Sequence, residues 1–293
     1  MVEIACVLDA KAAVGEGTLW DPADGVLWWL DIWGKLIHRF HPETGVDDTF
    51  ATPEYVGCLG LRERGGLVIT LASGFHFFDP QTGKFDRIVD PEAHIKETRF
   101  NDGKTDRQGR FWSGTTFEVP GRKPERIGSL YRLDPDLTAH RIVEGIGSSN
   151  GLAWSPDGRA MYFADSYGGA VWAFDVDTAT GDVHNRRVFI DTEPTGGFAD
   201  GATVDAEGCY WVCMPMVGKL SRYDPDGKLM QTIIMPVDAP TCCEFGGANL
   251  DILYVTSGTL NRPAADLARQ KNPGGLFAVD VGVKGLTLPP FKG

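Results

Sequence analysis

The chain has 293 residues, of which 42% are hydrophobic and 11% aromatic, so it can bury a large core. Its formal net charge of −12 argues against a surface that binds nucleic acid or an anionic membrane. No apolar run is long enough to span a bilayer, and the first residues lack the basic and apolar stretches of a signal peptide. We therefore expect a cytoplasmic protein.

Six stretches of the chain repeat one pattern: an apolar pair, a polar turn rich in Asp and Gly, an aromatic strand, a second turn, another strand and a closing turn. In chain order, these polar turns lie at 21–25, after Leu59, and at 106–109, 155–158, 205–208 and 246–249. Equivalent turns are about 40 to 50 residues apart, which is the spacing of propeller blades.

The segments that follow these turns, such as 28–30, 111–113 and 210–212, are rich in aromatic and β-branched residues, as strands are. The only plausible short helix is 264–269. The sequence therefore predicts an all-β protein, a six-bladed β-propeller with four-stranded antiparallel blades around a central channel. The unbroken repeat predicts a single domain over 1–293, in which one site can draw residues from several blades.

Six cysteines occur, at positions 6, 58, 209, 213, 242 and 243, mostly within predicted strands. They lack the paired spacing of a structural zinc site. We expect all six to be unpaired thiols that act as small apolar residues.

Four predicted strands begin with a carboxylate or an amide where a small or apolar residue is expected: Glu16, Asn101, Asn150 and Asp200. Each lies the same number of residues before the polar turn of its repeat, so the four side chains are predicted to converge on one end of the channel. The alternative for each is an ordinary turn, because Asn-Gly and Asp-Gly are common turn dipeptides. As a set they offer only oxygen donors, which suits a hard divalent cation such as Ca²⁺, Mg²⁺ or Mn²⁺ with coordination positions left open.

These residues lie in a series of motifs that runs along nearly the whole chain in order. The series resembles the senescence marker protein/gluconolactonase/regucalcin family of six-bladed propeller lactonases. The motifs that carry the resemblance include Gly15-Glu16-Gly17, Arg99-Phe100-Asn101-Asp102-Gly103, Ser149-Asn150-Gly151-Leu152, Asp200-Gly201 and Phe245-Gly246-Gly247.

The resemblance implies one divalent metal ion, held by Glu16, Asn150 and Asp200. It leaves the ion open among Ca²⁺, Zn²⁺, Mn²⁺, Mg²⁺ and Fe²⁺. It also implies that Arg99 and Asn101 bind the substrate, and that Glu118, the nearest match to a carboxylate of the family, contacts sugar hydroxyls. Asp200 is the candidate general base.

The expected activity is metal-dependent hydrolysis of a sugar lactone, a pentono-, hexono- or deoxyhexonolactone, to the aldonic acid in carbohydrate catabolism. Two alternatives stay open: a calcium-binding propeller without catalysis, and a hydrolase of other esters. We expect a small-molecule substrate, no nucleic-acid or membrane partner, and a monomer or small homo-oligomer. Trp20 and Trp33 are candidates to border a sugar pocket.

Overall fold

The computed structural model describes residues 2–293, and nearly all of its regular structure is β-strand. The first twelve strands are β1 (Ile4–Leu8), β2 (Gly15–Asp21), β3 (Val26–Asp31), β4 (Leu36–His41), β5 (Val46–Ala51), β6 (Val56–Leu61), β7 (Leu67–Leu71), β8 (Gly74–Asp79), β9 (Lys84–Val89), β10 (Thr98–Thr105), β11 (Phe111–Phe117) and β12 (Gly128–Leu133). The others are β13 (Ala139–Ile146), β14 (Ser149–Trp154), β15 (Ala160–Asp165), β16 (Ala170–Val176), β17 (Val183–Asp191), β18 (Ala202–Val204), β19 (Tyr210–Met214), β20 (Lys219–Tyr223), β21 (Leu229–Ile234), β22 (Pro240–Gly246), β23 (Ile252–Ser257) and β24 (Leu276–Asp280). They form six four-stranded antiparallel sheets, the blades of a six-bladed β-propeller, so the predicted fold class is confirmed.

Blades 1 to 5 each take four consecutive strands, from β2–β5 to β18–β21, and blade 6 combines β22–β24 with β1. In blade 6 Cys6 lies opposite Phe277, so the N-terminal strand completes a sheet whose other strands come from the C-terminal part of the chain. The sequence did not indicate this pairing, because β1 lies before the first repeat. Strand β1 is therefore placed in blade 6 by its pairing with β24 and not by the sequence repeat.

The chain forms two compact units. Unit 1 extends up to Ala51 and includes Thr192–Thr287, which gives it blades 1, 5 and 6. Unit 2 consists of Thr52–Asp191 and Leu288–Gly293 and contains blades 2, 3 and 4. A single domain over 1–293 stays a prediction.

Burial falls from the first strand of a blade to the last. In blade 4 every residue of β14 is buried, whereas most residues of β17 are exposed or partly exposed. A carboxylate or amide on a first strand therefore sits in a buried setting, where it needs hydrogen bonds or a charged partner.

In blades 3 and 5, the carboxylate of the Asp-Gly turn holds the aromatic strand that follows. Asp106 Oδ2 accepts a hydrogen bond from Trp112 Nε1 at 3.0 Å, and Asp205 Oδ2 accepts one from Trp211 Nε1 at 2.9 Å. Both indoles are fully buried, and a buried indole N–H needs an acceptor. The turn and the core of the blade are thus one structural unit.

The helical expectation is confirmed, since α1 (Ala264–Leu267) lies within the predicted 264–269. A second short helix, a 3₁₀ turn over Glu193–Thr195, was not predicted. Among residues 2–293, no helix has the length and apolar character needed to cross a membrane. None of the six cysteines forms a disulfide bond, as expected, and each is buried except the partly buried Cys6.

Candidate metal and substrate site

Glu16 and Asn150 occupy the same register position in their blades. Glu16 pairs with Leu30 and Asn150 pairs with Ala164, and in both strands the pairing is then interrupted by a β-bulge. Bulges re-aim side chains and are frequent next to active sites. The predicted equivalence of these two residues therefore has a structural basis in the ladder.

Each of these two residues is followed by a glycine in the left-handed conformation, Gly17 with φ 59° and Gly151 with φ 64°. A Cβ on Gly17 would lie 2.8 Å from Leu30 Cδ1, so a larger residue there would strain the backbone and would require the Leu30 side chain to shift. Glu16-Gly17 lies inside β2 and Asn150-Gly151 lies inside β14, and neither dipeptide forms a hairpin turn. At both positions the glycine belongs to a bulge within a strand. Glu16 and Asn150 are therefore not part of ordinary Gly-containing turns.

Asn101 is offset from this position by one residue. Pairing holds at Phe100 with Thr115, resumes at Gly103 with Ser113, and leaves Asn101 as the first residue of the bulge. An equal count from the following turn hid this difference, because β10 has one more residue between its bulge and its turn than β2 and β14 have. Asn101 therefore does not share the register position of Glu16 and Asn150.

In unit 2, hydrogen bonds connect four of the predicted site residues. Arg99 Nε pairs with Glu118 Oε2, and Arg99 Nη1 donates to Asn101 Oδ1 at 2.9 Å. Asn101 Nδ2 in turn donates to Asn150 Oδ1 at 3.1 Å. Only 11% of the Arg99 side chain is exposed, compared with 29% of Glu118. The predicted substrate residues and one predicted metal ligand thus form one continuous network.

The orientation of the Asn150 amide is fixed from its other side. Asn150 Nδ2 donates to Ser166 Oγ at 2.7 Å, which turns Oδ1 toward Asn101. Asn101 Nδ2 also donates to the carbonyl of Ser149 at 2.9 Å. The oxygen that a cation would need is therefore on the same side as the substrate residues.

In unit 1, Glu16 and Asp200 are each 8% exposed and lie on segments that meet at Thr241 of β22. Thr241 Oγ1 donates to the carbonyl of Gly15, and the carbonyl of Thr241 accepts from Gly201 N at 2.8 Å. Asp200 lies two residues before β18, and its N donates to the Cys213 carbonyl at 3.0 Å. Gly15, which precedes Glu16, and Gly201, which follows Asp200, are therefore both hydrogen-bonded to Thr241.

The chemistry of these residues fits a hard cation. Glu16 and Asp200 bring two nearly buried carboxylates, whose charge requires compensation, and Asn150 brings an oriented amide oxygen. No group of three His, Cys, Asp or Glu suited to a metal occurs within residues 2–293, and the predicted set contains only two such residues.

Asp102 belongs to the motif of residues 99–103, but the sequence did not predict a role for it. It is buried, and its Oδ2 accepts a hydrogen bond from Leu152 N at 3.1 Å, which joins the bulge after Phe100 to the bulge after Asn150. Burial raises the pKa of this carboxyl, while the hydrogen bond from Leu152 acts in the opposite direction. A carboxylate inside a predicted buried strand was the signal that could have identified it.

The tryptophan expectation is not supported at Trp20. Trp20 lies toward the turn end of β2, pairs with Leu27 and stacks on Tyr254 with ring centroids 6.0 Å apart. It lines a cavity of about 330 Å³ with Pro22 and Pro42, on the turn side of the hairpin and away from Glu16. Trp33 lies in the turn between β3 and β4.

Comparison with known proteins agrees with the motifs. The family model described as SMP-30/Gluconolactonase/LRE-like region matches residues 14–259, a range that contains every predicted site residue. The chain belongs to this family.

Relatives match over almost their full length. A 6-deoxy-6-sulfogluconolactonase of Pseudomonas putida is 35% identical and a regucalcin of Danio rerio 38% identical, each covering 99% of this chain and 99% and 98% of the relative. The crystal structure of a calcium-binding protein, regucalcin, from Agrobacterium tumefaciens superposes with a TM-score of 0.93 at 27% identity, over 99% of this chain and 97% of that one. The family thus includes proteins named for lactone hydrolysis and proteins named for calcium binding.

Proposed function

We propose that this protein is a metal-dependent hydrolase of sugar lactones, which opens a five- or six-carbon aldonolactone to its aldonic acid. The observation that carries the proposal is the network Glu118–Arg99–Asn101–Asn150. A propeller that only held a cation would have no use for a guanidinium next to the ligand amide, because two cations repel. A substrate with several hydroxyl and ester oxygens gives that guanidinium a role.

We assign Glu16, Asn150 and Asp200 as the residues that would hold one divalent ion. The ion, when bound, would polarise the ester carbonyl and acidify a water molecule. Oxygen ligands admit several metals, so its identity is decided by experiment.

Arg99 and Asn101 would orient the lactone. Arg99 would donate to substrate oxygens through Nη2, because Nε pairs with Glu118 and Nη1 donates to Asn101 and to the carbonyl of Phe100. Glu118, being the more exposed partner, can also accept a hydrogen bond from a sugar hydroxyl.

Asp200 would act first as the general base toward the attacking water and then as the general acid toward the ring oxygen. Its carboxylate accepts a proton from the attacking water as the water oxygen bonds to the carbonyl carbon. When the ring C–O bond breaks, the same proton passes from the Asp200 carboxyl to the departing ring oxygen. The product is a hydroxy acid, and Asp200 returns to its ionised form.

The test is a hydrolysis screen of five- and six-carbon aldonolactones with a pH indicator, repeated after chelation and after each divalent metal is restored. Hydrolysis that disappears with chelator and returns with a metal supports the proposal. The matched controls are Asp200→Asn, which should be inactive, and Asp226→Asn in an exposed turn, which should behave like the wild type.

Calcium binding without catalysis is the second candidate, favoured by the similarity to proteins named regucalcin. Calorimetric calcium binding, combined with no turnover of any lactone, would select it. Turnover of aryl esters with no lactone activity would select a hydrolase of other esters.

A further inference from the structure

The loop 166–169 between β15 and β16 is fixed against the segment 147–148 by one buried carboxylate. Asp165 is fully buried and accepts hydrogen bonds from Gly147 N at 3.0 Å, Ser148 N at 2.9 Å and Tyr167 N at 3.1 Å. The same loop contains Ser166, which orients the Asn150 amide. The loop is therefore built as part of the site and has a defined conformation.

Tyr167 and Glu118 flank the same peptide. The Tyr167 ring lies on Gly147, where an added Cβ would be 2.9 Å from Tyr167 Cδ2. The carbonyl of Gly147 accepts a hydrogen bond from Phe117 N at 3.0 Å, and Phe117 directly precedes Glu118. Gly147 thus places the ring beside the predicted substrate carboxylate.

Electrostatics agrees with this placement. Partial burial, followed by the charge of Glu118, raises the pKa of the Tyr167 phenol, and Arg99 acts in the opposite direction. Tyr167 is nevertheless 54% exposed. Much of the side chain is therefore open to contact.

We propose that Tyr167 is a substrate-contacting residue whose ring forms an apolar wall for the sugar lactone held by Arg99, Asn101 and Glu118. The inference rests on the proposed lactonase function and adds to it a residue that selects the substrate. An aromatic ring presents an apolar face to the C–H groups of a sugar ring and a hydroxyl tip to its polar rim. Because the bond to Asp165 holds the Tyr167 backbone and the ring packs against Gly147, less conformational entropy is lost on binding than for a free side chain.

The experiment compares Tyr167→Ala, Tyr167→Phe and the control Val188→Ala, which removes an exposed apolar side chain from β17. Steady-state kinetics use the aldonolactone hydrolysed fastest in the screen, and calorimetry measures the binding of gluconate. Tyr167→Ala should raise KM and weaken gluconate binding by about ten-fold, the size expected for one lost apolar pocket contact, with kcat within about two-fold. Tyr167→Phe keeps the ring and should restore both values, and Val188→Ala should change neither.

The outcomes separate the two proposals. Wild-type turnover combined with an unchanged KM and unchanged gluconate binding in Tyr167→Ala overturns the role of Tyr167 and leaves the lactonase function intact. A fall in kcat with unchanged KM also overturns it, because that pattern indicates a structural or chemical role. A wild type that neither hydrolyses a lactone nor binds gluconate overturns both.

Discussion

The two units hold their predicted site residues in different ways. In unit 2, Arg99, Asn101 and Asn150 are oriented by hydrogen bonds between side chains. In unit 1, Thr241 connects the segments of Glu16 and Asp200, through its hydroxyl to the Gly15 carbonyl and through its carbonyl to Gly201 N, and Glu16 precedes a bulge at Gly17. We therefore expect a truncated side chain to disturb the site residues of unit 2, and a changed backbone to disturb those of unit 1.

The largest expected effect is that of Asp200→Asn in unit 1. Losing the general base and one anionic ligand together should lower kcat/KM by about 1,000-fold or more, which corresponds to about 4 kcal/mol. Metal affinity, measured by calorimetry, should fall in parallel. Normal metal binding with normal turnover would remove Asp200 from the site.

The next largest effect tests the backbone of unit 1 with a pair of glycines. Gly45→Ala, at φ 72° in open space, should cost only the strain of the left-handed conformation, about 1 kcal/mol. Gly17→Ala adds the clash with Leu30 and should lower the free energy of unfolding by about 2 to 3 kcal/mol. It should also weaken metal binding, because the bulge aims Glu16. Equal losses of stability in chemical denaturation would contradict the account of the bulge.

Arg99→Ala tests the network of unit 2. It should cost about 2 kcal/mol in kcat/KM, the scale of a lost charged hydrogen bond, while metal affinity changes little. In a double-mutant cycle with Asn101→Ala, the two losses should be non-additive, since the side chains are bonded directly. A collapse of metal affinity, with normal turnover of the metal-loaded protein, would make Arg99 a structural support.

The smallest expected effect concerns Glu92, a buried carboxyl of unit 2. Burial raises its pKa, although hydrogen bonds from Thr98, Tyr131 and Thr115 act in the opposite direction. Since folding then favours the protonated form, the stability it contributes is present below the ordinary Glu pKa and is lost as pH rises through the folded value. Urea unfolding between acidic and neutral pH should therefore show the wild type losing stability relative to Glu92→Gln as pH rises.

Asp157, another carboxyl of unit 2, should show the opposite dependence of stability on pH. Hydrogen bonds from Ser155 and from the Arg159 backbone lower the pKa of Asp157. Its contribution is present above the ordinary Asp pKa and is lost as pH falls through the folded value. The wild type should thus lose stability relative to Asp157→Asn on acidification. The same slope for both variants would refute the assignment for Glu92.

Much of the architecture could be predicted because it depends on local patterns. The recurrent Asp-Gly turns and aromatic strands predicted blades, and the hydrogen bonds from Trp112 to Asp106 and from Trp211 to Asp205 explain why these two signals occur together in blades 3 and 5. The pairing of β1 with β24 could not be predicted in this way, because it joins residues from opposite ends of the chain.

By itself, the sequence determined the kinds of chemical group available: two carboxylates, two amides and a guanidinium at strand starts of a repeated fold. These follow from residue identity and spacing, which the chain carries explicitly. Only the tertiary structure decided that Asn101 is the first residue of its bulge whereas Asn150 precedes its bulge, that Glu118 pairs with Arg99, and that the Tyr167 ring packs on Gly147. These facts depend on register and on packing between strands far apart in sequence, where a shift of one residue changes which groups meet.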